Sequence, residues 1–349
     1  MKIAYVARCD ASTENGVLKK LVAQVTNWRA AGHDASLFLL SRDDDVWTDA
    51  RGVTEAVVLE TGWPTRGIRL FGLTRAVKRW KPDLVYARFD TGSSAMSELM
   101  REVPTVLELN SVDLPEYRLY LPWYQYRYHR LVRGKTLRGA AGFVAVTHEI
   151  AARYAEFGRP TEVIANGIDL SAYRPVPPSS GKRLRLVFIG APRAVWHGID
   201  KIVDLASLLP EIDFDLVGPD SAPRLPANVR MYGILPRHEY ESVLGQSDAA
   251  IATLALHRKS MDEACPLKVR EYLAMGIACV IGYRDTDFPA PVPFLLQLKN
   301  AEDNASSSAD GIRQFCADWH GKRVGREAIV HIDIGQKEAG RLKFMSSVL

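Results

Sequence analysis

The sequence has 349 residues, 47% of them hydrophobic and 25% charged, which is ordinary for a globular chain and excludes a disordered, collagen-like or disulfide-scaffold protein. Such a length exceeds one small domain and predicts two. The formal charge of +4 resides in the first half, where residues 1–180 carry 24 Lys and Arg against 20 Asp and Glu, while residues 181–349 carry 21 of each; so modest a charge argues against nucleic acid as a partner.

The cysteines Cys9, Cys265, Cys279 and Cys316 show neither a CxxC pair nor His-interleaved spacing, so they read as reduced thiols and not as a zinc or redox motif. KIAYVAR at 2–8 is a buried strand, and its apolar run of about five residues is too short for a secretory core or a spanning helix. The expected location is cytoplasmic. A loop holding Gly16 leads to VLKKLVAQVTNWRAAG, where Val17, Leu21, Val25 and Trp28 recur at helical spacing and Gly32 supplies the stop. DASLFLL, DLVYARF, TVLELN and GFVAVT follow as short apolar strands between helical or turn-rich stretches, and this alternation predicts a parallel sheet.

RPVPPSSGK at 174–182 continues neither a helix nor a central strand and marks the expected domain boundary. The pattern then restarts: RLRLVFIG is a strand, GIDKIVDLASLLP a helix, and DFDLVG, DAAIATL and ACVIGY are further strands. The predicted fold is α/β, two Rossmann-like domains facing across a cleft, at 1–177 and 181–335, with 336–349 a C-terminal helix packing back on the first. Ligands of open parallel sheets bind beyond the carboxyl ends of the strands.

EACPLKVREYLAMG holds the chemistry. Glu263 and Glu271 are separated by seven residues, Pro266 stands where a helix begins and Gly276 where it ends. The free N–H groups and positive dipole end of that helix suit a diphosphate, and Lys268 shares a face with Glu271. One carboxylate before the helix and one on it suit a ligand with two polyols joined by phosphates. Two stretches carry no acid at all, Thr61–Pro82 and Tyr117–Ala141. The second mixes Tyr117, Tyr120, Trp123, Tyr124, Tyr126 and Tyr128 with six basic residues, which predicts peripheral contact with a membrane surface through Tyr117 to Arg138; stacking on sugars and plain packing on the sheet are the competing readings.

NGIDLSAYRP (166–175), FIG with WHGIDKIVDLASLLP, NVRMYGILPRHEYESVLGQSDAAIATL and EACPLKVREYLAMGIACVIG occur in the order of family 4 glycosyltransferases of the GT-B fold, which the chain resembles over nearly its whole length. Gly16, AAGHDASLF and KPDLVYAR extend the likeness into the first half. The resemblance implies that Glu271 binds the ribose of a nucleotide and Glu263 the donor sugar. It places the backbone at Pro266, Leu267 and Lys268 on the phosphates, and lets Gly16 approach the diphosphate from the other domain.

The chain departs from the family in two places. In GAPRAVWHG, His197 stands where a lysine is expected and Arg193 is displaced from the usual arginine position; protonated His197 would partly replace the lysine, and Arg193 would bind phosphate oxygens. Where many relatives place a histidine near the sugar, TVLELNSVD offers Asn110, with His148 as the alternative.

The implied activity is that of a retaining, metal-independent transferase moving a sugar from a nucleotide-diphosphate sugar, with UDP or GDP expected, to a hydroxyl of a glycan or lipid-linked acceptor. No cofactor or metal is expected, and Asp285–Thr286–Asp287, although of DxD form, falls in a loop. A nucleotide-sugar epimerase and a non-catalytic binding protein are the alternatives. A dinucleotide oxidoreductase is disfavoured because no GxGxxG follows either opening strand.

Overall fold

The computed structural model describes residues 1–12, 15–43, 45–60, 62, 66–191, 194–220 and 225–349. They form two compact units, Met1–Gly167 with Ile334–Leu349, and Ile168–Asp333. The first unit holds β1 (Lys2–Arg8), β2 (Asp34–Ser41), β3 (Thr54–Leu59), β4 (Leu84–Arg88), β5 (Thr105–Leu109), β6 (Gly142–Ala145) and β7 (Thr161–Val163). They pair in the order β3-β2-β1-β4-β5-β6-β7, all parallel. Ile3 to Ala7 are all buried, as a central strand covered on both faces requires.

Tyr5, Trp28 and Tyr86 meet at centroid distances of 5.0–5.4 Å in the core of this unit. The helix Ile334–Ser347 closes over them as part of the same unit: Glu338 accepts the Trp28 indole N–H at 2.8 Å, and Arg341 donates to the Ile164 and Ala165 carbonyls at 3.2 Å each. Beside it, Glu108 is fully buried with Lys20 at 2.6 Å. Burial by itself would raise this carboxyl, but Lys20, Arg341 and Arg88 outweigh it and hold Glu108 well below the usual carboxylate range.

The expected boundary at 174–182 lies inside the second unit. Val176 N–H donates to the Met275 carbonyl at 3.0 Å, and Arg323 donates to the carbonyls of Val176 and Pro177 at 3.3 and 2.7 Å. The prolines end regular structure here without making a linker. The chain instead leaves and re-enters the first unit at Gly167 and Ile334, packed so closely that a Cβ on Gly167 would lie 2.9 Å from the Ile334 Cα.

The second unit holds β8 (Arg185–Ile189), β9 (Asp213–Val217), β10 (Val229–Gly233), β11 (Ala249–Ile251), β12 (Glu263–Ala264), β13 (Ala278–Ile281), β14 (Arg284–Asp285) and β15 (Leu295–Gln297). Its main sheet runs β10-β9-β8-β11-β13-β15, again parallel, with β12-β14 as a separate pair. Strand order reverses between β8 and β11, so the loops after these two strands part at their carboxyl ends and leave a crevice.

Candidate functional site

Three glycines stand at the carboxyl edge of the second sheet. Gly190 N–H donates to the Val217 carbonyl at 3.0 Å and Gly218 N–H to the Gly233 carbonyl at 2.6 Å. Gly218 has φ +101, and a Cβ there would lie 1.8 Å from the Gly190 carbonyl oxygen. Backbone rather than side chain therefore borders the crevice beyond β8 and β9.

The predicted helix forms over Leu267–Ala274, with Pro266 as its extended N-cap. Pro266 has no N–H to offer, so the free donors of the first turn are the Leu267 and Lys268 N–H groups, which meet no acceptor among the described residues. Tyr272 pins this helix to the end of β8, its hydroxyl accepting the Ile189 N–H at 2.7 Å.

That docking sets Lys268 over the Phe188 ring, with Nζ 4.2 Å from the centroid. A Cβ on Gly190 would lie 2.7 Å from the same nitrogen. The stem is half-buried, but Nζ is out of water and has no hydrogen-bond partner among the described residues. Burial pushes the ammonium down to about 7. Lys268 is therefore a buried amine whose charge is costly without an anion beside it, and not a solvated helix lysine.

His197 is buried beside it. The backbone of 196–197 is tied to the loop after β11 by Leu254 N–H donating to the His197 carbonyl at 3.2 Å and Ala255 N–H to the Trp196 carbonyl at 3.1 Å. The imidazole packs on Phe188 at 5.3 Å, and Nδ1 is buried without a partner among the described residues. Desolvation, then Lys268 and Lys259, push His197 far down, to about 2. Burial first, and then the two lysines that face it, keep the imidazole in its neutral form, so any charge on His197 depends on phosphates beside it. Lys259, from the loop after β11, sits 4.5 Å over the Trp196 ring.

Glu271 lies one turn further along the helix. Its Oε1 accepts the Tyr240 hydroxyl at 2.8 Å and the Tyr173 hydroxyl at 3.3 Å, and none of the described bonds uses Oε2. Arg237 stacks 4.6 Å over the Tyr173 ring. Glu263 is buried on β12, in register with Arg284 of β14. The pair β12-β14 is locked by Arg270, fully buried, whose guanidinium donates to Asp285 at 2.7 and 2.8 Å and to Asp287 at 2.9 Å. The DxD triplet thus has both carboxylates engaged by an arginine.

Arg193 lies outside the described residues. In the first unit, Gly16 is exposed and opens the helix Gly16–Ala30, capped by Asn15, whose side chain accepts the Leu18 N–H at 2.9 Å. Asn110 is tied at both ends into the buried network, accepting from Lys20 at 3.3 Å and donating to Glu108 at 3.2 Å. His148 is exposed at the start of the helix His148–Tyr154. Motif reading passed over Tyr173, Tyr240 and Lys259. Tyr173 lies within NGIDLSAYRP, but nothing local shows that its hydroxyl reaches a residue 98 positions away.

Two parallel α/β units, each switching strand order at its centre, are the architecture of the GT-B fold. Residues 15–172 match the sequence pattern of Glycosyltransferase Family 4. Among solved structures, the lipopolysaccharide outer core galactosyltransferase WaaB superposes with a TM-score of 0.70 at 12% identity over 100% of both chains. Sucrose-phosphate synthase from Thermosynechococcus elongatus gives 0.68 at 14%, covering 100% of this chain and 96% of that one. Anabaena HepE in complex with UDP gives 0.66 at 15%, covering 99% and 100%. No curated protein matches the chain in sequence.

Proposed function

We propose that the protein is a retaining glycosyltransferase that needs no metal and transfers a sugar from a UDP- or GDP-sugar to a hydroxyl of a glycan or lipid-linked acceptor in polysaccharide or glycolipid assembly. The observation that carries this reading is the order of groups along 263–271: a buried carboxylate, then two free amides with a buried lysine, then a carboxylate held by two tyrosines. It matches sugar, diphosphate and ribose in order. The HepE complex, which holds UDP on the same fold, supports a nucleotide diphosphate as the leaving group.

In this reading the diphosphate departs as the acceptor hydroxyl attacks from the same face, and the developing charge is met by Lys268, Lys259 and the helix N-terminus. With Asp285 and Asp287 held by Arg270, the positive charge at the phosphates comes from lysines. The cation that the family places before Gly198 is supplied here from the helix, so the neutral His197 does not imply lost phosphate chemistry. Glu271→Ala is expected to weaken UDP binding about tenfold or more, and Glu263→Ala to lower turnover of the sugar with little change in UDP affinity. Calorimetry and nucleotide-release kinetics on both variants check the division, and wild-type behaviour in both would overturn it. Gly190→Ala, by pushing its Cβ into Lys268 Nζ and Phe188, is expected to reduce UDP affinity about tenfold while the fold persists; titration of the variant reads this directly.

The same reading includes docking on an anionic membrane through the helices Asp113–Tyr120 and Trp123–Gly139. Most of their exposed residues are aromatic, aliphatic or basic, among them Tyr120, Trp123, Tyr124 and Leu131 alongside Arg127 and Arg130, with Leu131 84% and Trp123 72% exposed. Arg133, expected on this face, points inward instead and grips Asp113 at 2.6 and 2.9 Å, together with His129 at 2.6 Å. No described helix is long and apolar enough to cross a membrane. Flotation with anionic vesicles at low salt is expected to carry the protein, and the combined Arg127→Ala, Arg130→Ala and Leu131→Gln change to cut binding about tenfold; absence of wild-type binding would count against docking.

A further inference from the structure

The first unit has a pocket of its own that the donor site does not use. It opens at the carboxyl ends of β1 and β4, where strand order reverses, and its walls are Val6, Leu40, Leu70, Leu73, Met96 and Leu107. Its polar lining residues include Arg8, Arg66, Arg88, Asp90 and Thr136.

These polar groups already answer one another. Arg8 donates to Glu60 at 2.8 Å and lies 3.6 Å from Asp90. Arg66 pairs with Asp90, and Arg88 lies 3.8 Å from Glu108. Thr136 is bonded to Ser93 and Ser97 at 3.1 Å each. A polyol entering this pocket would bury hydroxyls against partners that are already committed, and each such group is costly. Hydrocarbon meets no such penalty and gains the transfer free energy of leaving water.

The mouth continues onto the exposed aromatic face. Tyr117 donates its hydroxyl to the Asp90 carbonyl, and Tyr120, 53% exposed, lies within the electrostatic reach of Arg8, Arg66 and Asp90. We propose that this pocket binds the hydrocarbon part of an amphiphile whose hydroxylated head stays at the Arg8–Asp90–Arg66 rim. The amphiphile is the acceptor if the transferase reading holds; the binding itself does not depend on that reading.

Calorimetric titration of the full chain with n-octyl β-glucoside, kept below its micelle concentration, against methyl β-glucoside tests this. The octyl compound is expected to bind at least about tenfold tighter. Leu70→Arg, which sets a charge on the wall, and Leu70→Trp, which fills it, are each expected to remove that preference while UDP affinity stays unchanged. Trp123→Ser with Leu131→Gln is expected to leave it intact. Equal affinity for the two glycosides would overturn the proposal. So would octyl binding that survives both Leu70 variants and is lost in the Trp123 and Leu131 variant, because the probe would then sit on the helix face. If wild type binds octyl glucoside but not UDP, the transferase reading fails and the pocket stands.

Discussion

UDP affinity is expected to fall as the pH rises above about 7, by up to tenfold per pH unit over the next one to two units, and the slope is expected to vanish in Lys268→Met. Among the described residues Lys268 Nζ has no counter-ion and no hydrogen-bond partner, and burial lowers it from 10.5 to about 7. A diphosphate supplies the missing negative charge and raises it again, so binding above pH 7 takes up a proton. The sign follows from linkage: where the liganded state holds more protons than the empty one, affinity drops as protons become scarce. Stability of the ligand-free protein moves oppositely, since from about pH 7 to the unfolded value of 10.5 the unfolded chain binds the extra proton and folding is favoured as pH rises. Titrations in buffers of different ionisation enthalpy measure the uptake; a pH-independent affinity between 7 and 9 would contradict this account of Lys268.

Arg270→Ala is expected to destabilise the second unit by about 3–5 kcal/mol, the cost of leaving buried charge without its partner. The guanidinium is fully buried, as is the Asp285 side chain, and Asp287 is nearly so. Truncation strands two carboxylates where one cation had answered both. Because Asp285 belongs to β14 and β14 pairs with β12, loss of Arg270 also frees the strand that carries Glu263. Urea unfolding reads the first effect, and sugar turnover that falls further than UDP affinity reads the second. Removing all three charges in an Arg270→Met, Asp285→Asn, Asp287→Asn protein is expected to recover part of the stability; a single-variant loss below about 1 kcal/mol would contradict the buried-pair argument.

Much of the fold was legible because buried parallel strands are written as unbroken apolar runs. KIAYVAR, DASLFLL, DLVYARF and their counterparts in the second half all lie on the strands they predict. Thr54–Leu59 and Thr161–Val163 escaped because they are short edge strands with partly exposed, mixed side chains. The boundary was misplaced because prolines at 175–178 carry a local signal, whereas the crossing at Gly167 depends on contact with Ile334, far along the chain.

Within the site, the helix and its two glutamates were readable from spacing and context. The state of its cations was not. Whether Lys268 is solvated or buried depends on Tyr272 holding the helix against Ile189 and on the space left by Gly190, and whether His197 carries charge depends on its burial against Phe188 and on Lys268 and Lys259, both more than 60 residues away. The inward turn of Arg133 likewise needed Asp113, which sits outside the acid-free stretch that made the segment look uniformly basic.

Incubating the protein with UDP-, GDP- and ADP-sugars in the absence of acceptor, and measuring release of the nucleoside diphosphate, tests the donor-site reading most directly. Slow release from a UDP- or GDP-sugar, lost in Glu263→Ala, is the expected result. Conversion of the sugar while it stays attached to the nucleotide, or tight binding with no release from any donor even when acceptors are added, would contradict it.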